Sequence, residues 1–142
     1  MRETVREFVG LVAGAVALPP PIYEFGALQV PGQEQFADLR GFFPGQTYVG
    51  SDVCAGPGVD VLLDLHALDL PDGSVGTAIL CDTLEHVQRP WQALAEVYRV
   101  LAPGGVVLMT STMNFRVHNY PADYWRYTPQ AFEFLLEPFG TR

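Results

Sequence analysis

The sequence has few basic residues. Eight Lys and Arg stand against sixteen Asp and Glu over 142 residues, which gives a formal net charge of −8 at pH 7. The eight cations are scattered along the chain. A nucleic-acid partner requires phosphate-neutralising cations gathered on one face, and an anionic membrane surface favours a cationic helix face. We therefore expect neither nucleic acid nor membrane as a partner.

Cysteine is also scarce, and apolar runs are short. Cys54 and Cys81 lie far apart and belong to no group with ligand spacing, so we expect no metal site and a reducing, cytoplasmic compartment. The apolar stretch 8–18 is shorter than the roughly 20 residues that a membrane span needs. It leads into three prolines without a convincing cleavage site, which favours a packed helix over a signal peptide.

Glycine is sparse where nucleotide-binding proteins usually carry it. The apolar segment 22–25 leads into Gly26, and the next glycine is Gly32. Dinucleotide enzymes use a G-x-G-x-x-G turn so that the backbone can approach a pyrophosphate. The missing glycines argue against a nicotinamide-dinucleotide enzyme.

What the sequence does contain is a regular alternation of apolar strands and helices. Helices are predicted at 2–17, 34–43, 90–101 and 128–136, and strands at 21–26, 47–52, 58–64, 77–82 and 106–112. Glycines in 102–105 are predicted to end the third helix. Continuously apolar strands are typical of a parallel sheet covered on both faces. The pattern predicts one α/β domain over residues 1–142, a doubly wound and mainly parallel sheet in the order 3-2-1-4-5 with helices on both faces.

Four acidic residues stand at or near the ends of these strands. Glu24 lies near the end of strand one, and Asp52, Asp64 and Asp82 end strands two, three and four. Parallel α/β sheets bind ligands at the rim where the carboxyl ends of the strands meet. An acid after strand two can accept both hydroxyls of a ribose, and one after strand three can accept the amino group of an adenine. Such a rim would also attract a positively charged cofactor.

The connection after the fifth strand, residues 113–128, is too long and too aromatic for a plain loop. It falls on the same rim, where it could shape a substrate pocket or form a packed lid, and the two interpretations are compatible. The pocket residues would be His118, Asn119, Asp123, Tyr124, Trp125, Arg126 and Tyr127.

Residues 64–110 read DLHALDLPDGSVGTAILCDTLEHVQRPWQALAEVYRVLAPGGVVLMT. This stretch closely resembles the class I S-adenosylmethionine-dependent methyltransferases, and more narrowly their small-molecule, methyltransferase domain 11-like group. The combination of LEHV and RVLAPGG at this distance is the most specific part. The resemblance implies a Rossmann-like fold, S-adenosyl-L-methionine as cofactor, and methyl transfer to a small-molecule or glycan-like acceptor. The alternative is a non-catalytic methyltransferase-like binding or interaction module.

The resemblance also implies roles for single residues. It assigns Glu24, Gly26 and Ala27 to the motif beside the methionine part of the cofactor, Asp52 and Val53 to the ribose and adenine, Asp64 and Leu65 to the adenine edge, and Cys81 and Asp82 to the segment under the sulfonium. Glu85 and His86 would open the segment where the substrate enters.

The sequence departs from the family pattern in two places. The first motif of the family is usually E-x-G-x-G-x-G, and its second and third glycines are missing here. Because this cofactor has no pyrophosphate, one glycine and a longer loop could still pass over its methionine part. The family's sheet also has two further strands after the last helix, which this sequence lacks. We therefore expect the edge of the fifth strand to be covered by residues 113–127 or by a second copy of the chain, as a homodimer.

The chemistry of the cofactor decides what the protein must add. A sulfonium already makes its methyl group electrophilic, so the protein mainly aligns an in-line attack and excludes water. A hydroxyl acceptor would in addition call for a base. The candidates are His118, His86 and Asp123, and histidine comes first because its unperturbed pKa lies nearest neutrality. Each histidine could instead be a hydrogen-bonded structural residue.

Overall fold

Five parallel strands form one sheet in the order β3-β2-β1-β4-β5. The computed structural model describes residues 2–118 and 121–140. The strands are β1 (Ile22–Phe25), β2 (Tyr48–Asp52), β3 (Val61–Leu62), β4 (Val75–Cys81) and β5 (Leu101–Thr110), and the helices are α1 (Glu3–Ala15), α2 (Glu34–Ala37), α3 (Pro90–Val100) and α4 (Pro129–Leu136). The predicted fold class and strand order are confirmed.

Both faces of the sheet are covered, and all seven residues of β4 are buried. Ala78 and Leu80 pack against Leu94 and Val97 of α3 in one apolar cluster. The intervening Ile79 belongs to a second cluster on the opposite face, which includes the α1 residues Val5 and Val9. This alternation within an entirely apolar strand is what a sheet with helices on both faces requires. No helix in the described part of the chain is long and apolar enough to cross a membrane.

The predicted helix at 34–43 is in fact two short pieces. Helix α2 ends at Ala37, and a separate 3₁₀ turn covers Arg40–Phe42. Asp38 between them has extended backbone angles, and its carboxylate accepts a hydrogen bond from the Arg40 amide at 2.9 Å. Such a local side-chain bond competes with helix continuation, and it explains the break.

The prediction that residues 102–105 close the third helix is wrong. Helix α3 ends at Val100, and Leu101 already begins β5. The glycines instead lie in β5, where the register of its pairing with β4 shifts between Val75 and Thr77. A Cβ on Gly105 would lie 2.9 Å from the carbonyl oxygen of Gly76, so glycine permits this close approach of the two strands.

Other predicted boundaries differ by a few residues. The third strand is reduced to Val61–Leu62 at the sheet edge, since Gly58 has a positive φ of 89° that breaks the extended run. On α1, Val5 and Val9 are buried and Phe8 is exposed, as is Val16 directly after the helix. Thr128 caps α4, and its side chain accepts a hydrogen bond from the Ala131 amide.

The segment after β5 runs across the rim of the sheet. The backbone amides of Tyr124 and Trp125 donate to the carbonyl of Glu85, and the Tyr127 amide donates to Thr112. The first two bonds attach the segment to the turn that follows β4, and the third attaches it to the chain two positions after the end of β5. Within the described residues, β5 pairs with β4 alone.

Candidate active site

The turn after β1 is built around Gly26, which has a φ of 88°. A Cβ at this position would lie 2.4 Å from the hydroxyl oxygen of Thr83. That hydroxyl donates to the Phe25 carbonyl at 2.9 Å, which fixes the Thr83 side chain against the turn. Glycine is therefore required here both by the backbone conformation and by the neighbour. Thr83 is a site residue that the sequence did not reveal.

Glu24 points into the protein and not toward the rim. Its side chain is only 6% exposed and accepts a hydrogen bond from the Tyr48 hydroxyl at 2.6 Å. Burial raises the pKa of the Glu24 carboxyl to about 7, against the opposing effect of the Tyr48 hydrogen bond. Glu24 is thus a buried group bound to Tyr48, neutral or partly charged near neutral pH.

Asp52 lies at the rim, at the end of β2. Its two carboxylate oxygens accept hydrogen bonds from the backbone amides of Leu28, at 3.3 Å, and Cys54, at 3.0 Å. These bonds orient the carboxylate and leave each oxygen a further lone pair. The neighbouring Val53 is exposed.

The unusual turn residues Leu28 and Gln29 lean toward the connection between β2 and β3. Leu28 contacts Gly56, where a Cβ would be 2.4 Å from its side chain. Gln29 is buried and packs against Gly58. These two contacts hold the turn after β1 against the connection between β2 and β3.

Asp64 follows β3 and is held by its neighbour His66. One of its oxygens, Oδ1, accepts from the His66 amide at 2.8 Å and lies 2.7 Å from the ring Nδ1. The His66 amide is the main reason that the pKa of Asp64 is lowered, so the side chain stays a carboxylate. The Leu65 side chain is buried in the core.

Asp82 follows β4 and has a positive φ of 51°. The Arg2 guanidinium forks onto its carboxylate, with distances of 2.9 and 2.8 Å. The Thr110 hydroxyl donates to the same carboxylate at 3.0 Å. Burial raises the pKa of the adjacent Cys81 thiol to about 12, so Cys81 is an unreactive packing residue. Nothing in the sequence indicated that Arg2, eighty positions earlier, would reach this rim.

The predicted substrate residues lie where the segment after β5 crosses the 3₁₀ turn Leu84–His86. The Trp125 indole donates to the Val87 carbonyl at 3.0 Å, and the Tyr127 hydroxyl donates to the Leu84 carbonyl at 3.0 Å. Tyr124 remains half-exposed, and the Arg126 guanidinium forms an ion pair with Asp123. Trp125 and Tyr127 therefore fasten the segment, while Tyr124 faces solvent. Asn119 lies outside the described residues.

The structure brings all three predicted bases together. The rings of His86 and His118 meet edge to face, with their centroids 4.7 Å apart. The third candidate, Asp123, is buried in an ion pair with Arg126, and it also accepts from the His118 backbone amide at 2.7 Å. The Arg126 contact lowers the pKa of Asp123, which makes this carboxylate an anchor for the loop.

Glu85 lies beside the two histidines. It is fully buried, and its Oε2 atom accepts a hydrogen bond from the Ser111 hydroxyl at 2.6 Å. Burial raises the pKa of the Glu85 carboxyl, against the opposing effect of Ser111. One ligand atom from each of Glu85, His86 and His118 falls within 4.8 Å of the others.

Two cavities, of about 610 and 360 Å³, lie on helical surfaces outside this rim. The larger is lined by α1 and the α2 region, and the smaller by α3 and α4. None of the predicted site residues lines either of them.

Comparison with known proteins gives a consistent picture. Residues 44–109 match a family described as "Methyltransferase domain". The chain is 52% identical over 54 residues to an uncharacterized 37.1 kDa transposon protein of Streptomyces fradiae, a match that covers 37% of this chain and 16% of that protein. It is 43% identical over 58 residues to an uncharacterized methyltransferase of Mycobacterium ulcerans, covering 41% and 23% respectively. The matches thus span less than a quarter of these relatives.

Solved structures share the fold at low sequence identity. A SAM-dependent methyltransferase from Archaeoglobus fulgidus superposes with a TM-score of 0.73 at 19% identity, covering all of this chain and 70% of the other. The [4+2]-cyclase SpnF superposes with a TM-score of 0.68 at 19% identity, covering 95% and 57%. The strand order and these neighbours agree on a Rossmann-like methyltransferase fold, and residues 44–109 are similar to the methyltransferase domain family.

Proposed function

We propose that the rim formed by β3, β2, β1 and β4 binds S-adenosyl-L-methionine and that the protein transfers its methyl group to a small-molecule or glycan-like acceptor. The observation that carries the proposal is the placement of Asp64, Asp52, the Gly26 turn and Asp82 at the carboxyl ends of four successive strands. The fold alone does not fix the reaction, since one structural neighbour is a cyclase.

The chemistry of these groups fits the parts of the cofactor. Asp52 is oriented by two backbone amides and keeps lone pairs for the ribose hydroxyls. Asp64 stays ionised, and its Oδ2 atom can accept the adenine amino group. Val53 would lie beside the base, and the backbone amide of Leu65 would face its edge. The bare backbone of Gly26 and Ala27 would pass the methionine part, next to Cys81 and Asp82.

Arg2 offers a further contact to the cofactor. Its guanidinium is 39% exposed while it holds Asp82, and it has N–H groups beyond the two used in that fork. These groups could donate to the carboxylate of the methionine part, because Arg is well suited to carboxylates.

The side chains of the segment after β5, together with His86, would bind and orient the methyl acceptor. When bound, the cofactor supplies an electrophilic methyl group, and the chain must align the acceptor and exclude water. Tyr124, Trp125 and Arg126 lie on the segment that crosses the rim and would border the acceptor. His118 and His86 are the candidate bases for a hydroxyl acceptor, and Asp123 would position His118 through its backbone amide.

A non-catalytic binding module is the second candidate. It is favoured by the missing glycines, whose places are taken by Leu28 and Val30. The packing of Leu28 and Gln29 against the connection between β2 and β3, and the Arg2 fork on Asp82, also favour it. If these features exclude the cofactor, the fold would serve only as an interaction domain.

Calorimetric titration with S-adenosylhomocysteine, the demethylated product, separates the two candidates. We expect saturable binding to the wild-type chain. Asp52→Asn should bind about tenfold more weakly or worse, because hydrogen bonds to a charged group contribute roughly 1.5–3 kcal/mol. Asp69→Asn is the control, since Asp69 is an exposed acid in the connection between β3 and β4 and not at a strand end.

Two outcomes would count against the proposal. Absence of binding at about 1 mM product, an affinity weaker than about −4 kcal/mol, would favour the non-catalytic module. Equal affinities of wild type and Asp52→Asn would show that the ribose is held elsewhere.

We also infer the organisation of the molecule. Residues 1–142 are proposed to act as one domain, supported by the single sheet that joins the described strands. A homodimer through the free edge of β5 is supported by its lack of a second pairing strand among the described residues. Cys54 and Cys81 are both free, which supports a cytoplasmic location.

A further inference from the structure

Three side chains that are candidate metal ligands lie close together, where the segment after β5 contacts the turn after β4. Glu85 and His86 lie on the 3₁₀ turn after β4, and His118 comes from the segment after β5. One ligand atom from each lies within 4.8 Å of the other two. The cluster is thus assembled by the fold and not by a local sequence motif.

Glu85 carries the strongest sign of a ligand. The residue is 0% exposed, and its Oε1 atom is buried without a hydrogen-bond partner among the described residues. Buried polar atoms are almost always paired, and an unpaired one carries a penalty of about 1–3 kcal/mol. The other oxygen, Oε2, is fixed by Ser111, so the carboxylate cannot simply turn to relieve Oε1.

Both histidines are held by their Nδ1 atoms. In His86, Nδ1 is hydrogen-bonded to the Ala122 carbonyl. In His118, Nδ1 lies 3.2 Å from the Arg116 carbonyl and 3.2 Å from an Asp123 carboxylate oxygen. These acceptors place the proton on Nδ1, which leaves Nε2 with a free lone pair. Histidines that bind metals are oriented in this way, by a carbonyl or carboxylate on the other ring nitrogen.

We propose that Glu85 Oε1, His86 Nε2 and His118 Nε2 form a binding site for a divalent transition-metal ion of the Zn²⁺ or Fe²⁺ class. Two imidazoles and one carboxylate suit these ions, and three protein ligands leave coordination positions open. Magnesium and calcium prefer oxygen ligands throughout and fit this set poorly.

Metal binding requires the cluster to tighten. Ligand atoms lie about 2.0–2.2 Å from Zn²⁺, so neighbouring ligand atoms in a tetrahedral site are roughly 3.3 Å apart. The present spread of up to 4.8 Å must therefore shrink. His118 can make this movement, because it lies on a surface segment and not on a strand.

The site does not depend on the proposed methyl transfer. If both hold, the ion would take over the role of the histidine bases, because a metal lowers the pKa of a hydroxyl bound to it. The sequence predicts no metal site, since its cysteines have no ligand spacing. A metal titration decides between that prediction and this proposal.

The test is a metal titration of the full chain, purified without a histidine tag and freed of metal by chelator dialysis. Calorimetry with Zn²⁺ should show one binding event per chain, and Co²⁺ should give visible absorption bands of a bound ion. His118→Ala and His86→Ala should weaken Zn²⁺ binding about tenfold or more. His66→Ala is the matched control, because His66 is the third histidine of the chain and pairs with Asp64 outside the cluster.

Glu85→Gln tests the buried ligand and should also lose affinity. If that variant fails to fold by circular dichroism, the exposed-loop variant His118→Ala still decides the question. The proposal is overturned if wild type shows no binding at about 0.1 mM Zn²⁺, a Kd too weak for a resident ion. It is equally overturned if folded His118→Ala binds as tightly as wild type, if His66→Ala loses as much affinity, or if Mg²⁺ at equal concentration competes fully.

Discussion

Replacing Glu24 with glutamine is expected to remove a large part of the fall in unfolding free energy as the pH rises from about 4.5 to about 7. Burial raises the pKa of Glu24 from 4.5 to about 7, so the folded protein holds a proton that the unfolded chain releases. The stability contributed by this proton is fully present below the unfolded pKa and is lost as the pH rises through the folded pKa. The difference of about 2.5 pKa units corresponds to roughly 3 kcal/mol.

Urea unfolding at about pH 5 and about pH 8 measures this effect. The free energy of unfolding of wild type should fall by roughly 2.5 kcal/mol more over this interval than that of Glu24→Gln, because part of the effect is already lost at pH 5. Glutamine keeps an acceptor for the Tyr48 hydroxyl and cannot ionise. Glu133→Gln, on the exposed side of α4, should keep the wild-type dependence. Parallel curves for wild type and Glu24→Gln would show that Glu24 is not buried as described.

The Gly26→Ala substitution is expected to destabilise the fold by about 3 kcal/mol. Roughly 1 kcal/mol comes from the left-handed backbone at a φ of 88°, which disfavours any Cβ. A further 1–3 kcal/mol, approximately, comes from overlap with Thr83, whose Oγ1 and Cγ2 atoms would lie 2.4 and 2.7 Å from the added carbon. Chemical denaturation measures the total.

Two comparisons separate these contributions. Gly32→Ala shares the positive φ of 85° but meets no atom within 4 Å, so it should cost only about 1 kcal/mol. In a Thr83→Ala background, the additional effect of Gly26→Ala should shrink toward the same value, because Oγ1 and Cγ2 are gone. If Gly26→Ala costs no more than Gly32→Ala, Thr83 does not pack against the turn.

The architecture could be predicted from sequence because burial dictates it. Strand β4 is apolar at nearly every position, since both of its faces are covered, and this pattern is visible in the order of the amino acids alone. The boundaries that were predicted wrongly depend on local contacts that the apolar pattern does not contain. The Asp38 carboxylate interrupts a helical stretch, and Gly105 permits close strand pairing where glycine after a helix usually signals a cap.

Positions of candidate site residues could be predicted from the sequence only where strand order alone determines them. Asp52, Asp64 and Asp82 lie at strand ends, and the parallel sheet brings such ends to one rim. The contacts that decide their chemistry come from distant positions. Arg2 reaches Asp82 across 80 positions, and His118 meets Glu85 only because the segment after β5 folds back over the turn after β4. The spacing of these residues along the chain does not predict either contact.

Amide chemical shifts of the ¹⁵N-labelled chain report residue by residue whether the cofactor binds at this rim. With saturating S-adenosylhomocysteine, we expect the largest shifts in the amides of 26–28, 52–54 and 64–65, with the amides of α4 unmoved. Shifts confined to the cavity between α3 and α4, or no shifts at about 1 mM ligand, would contradict the account.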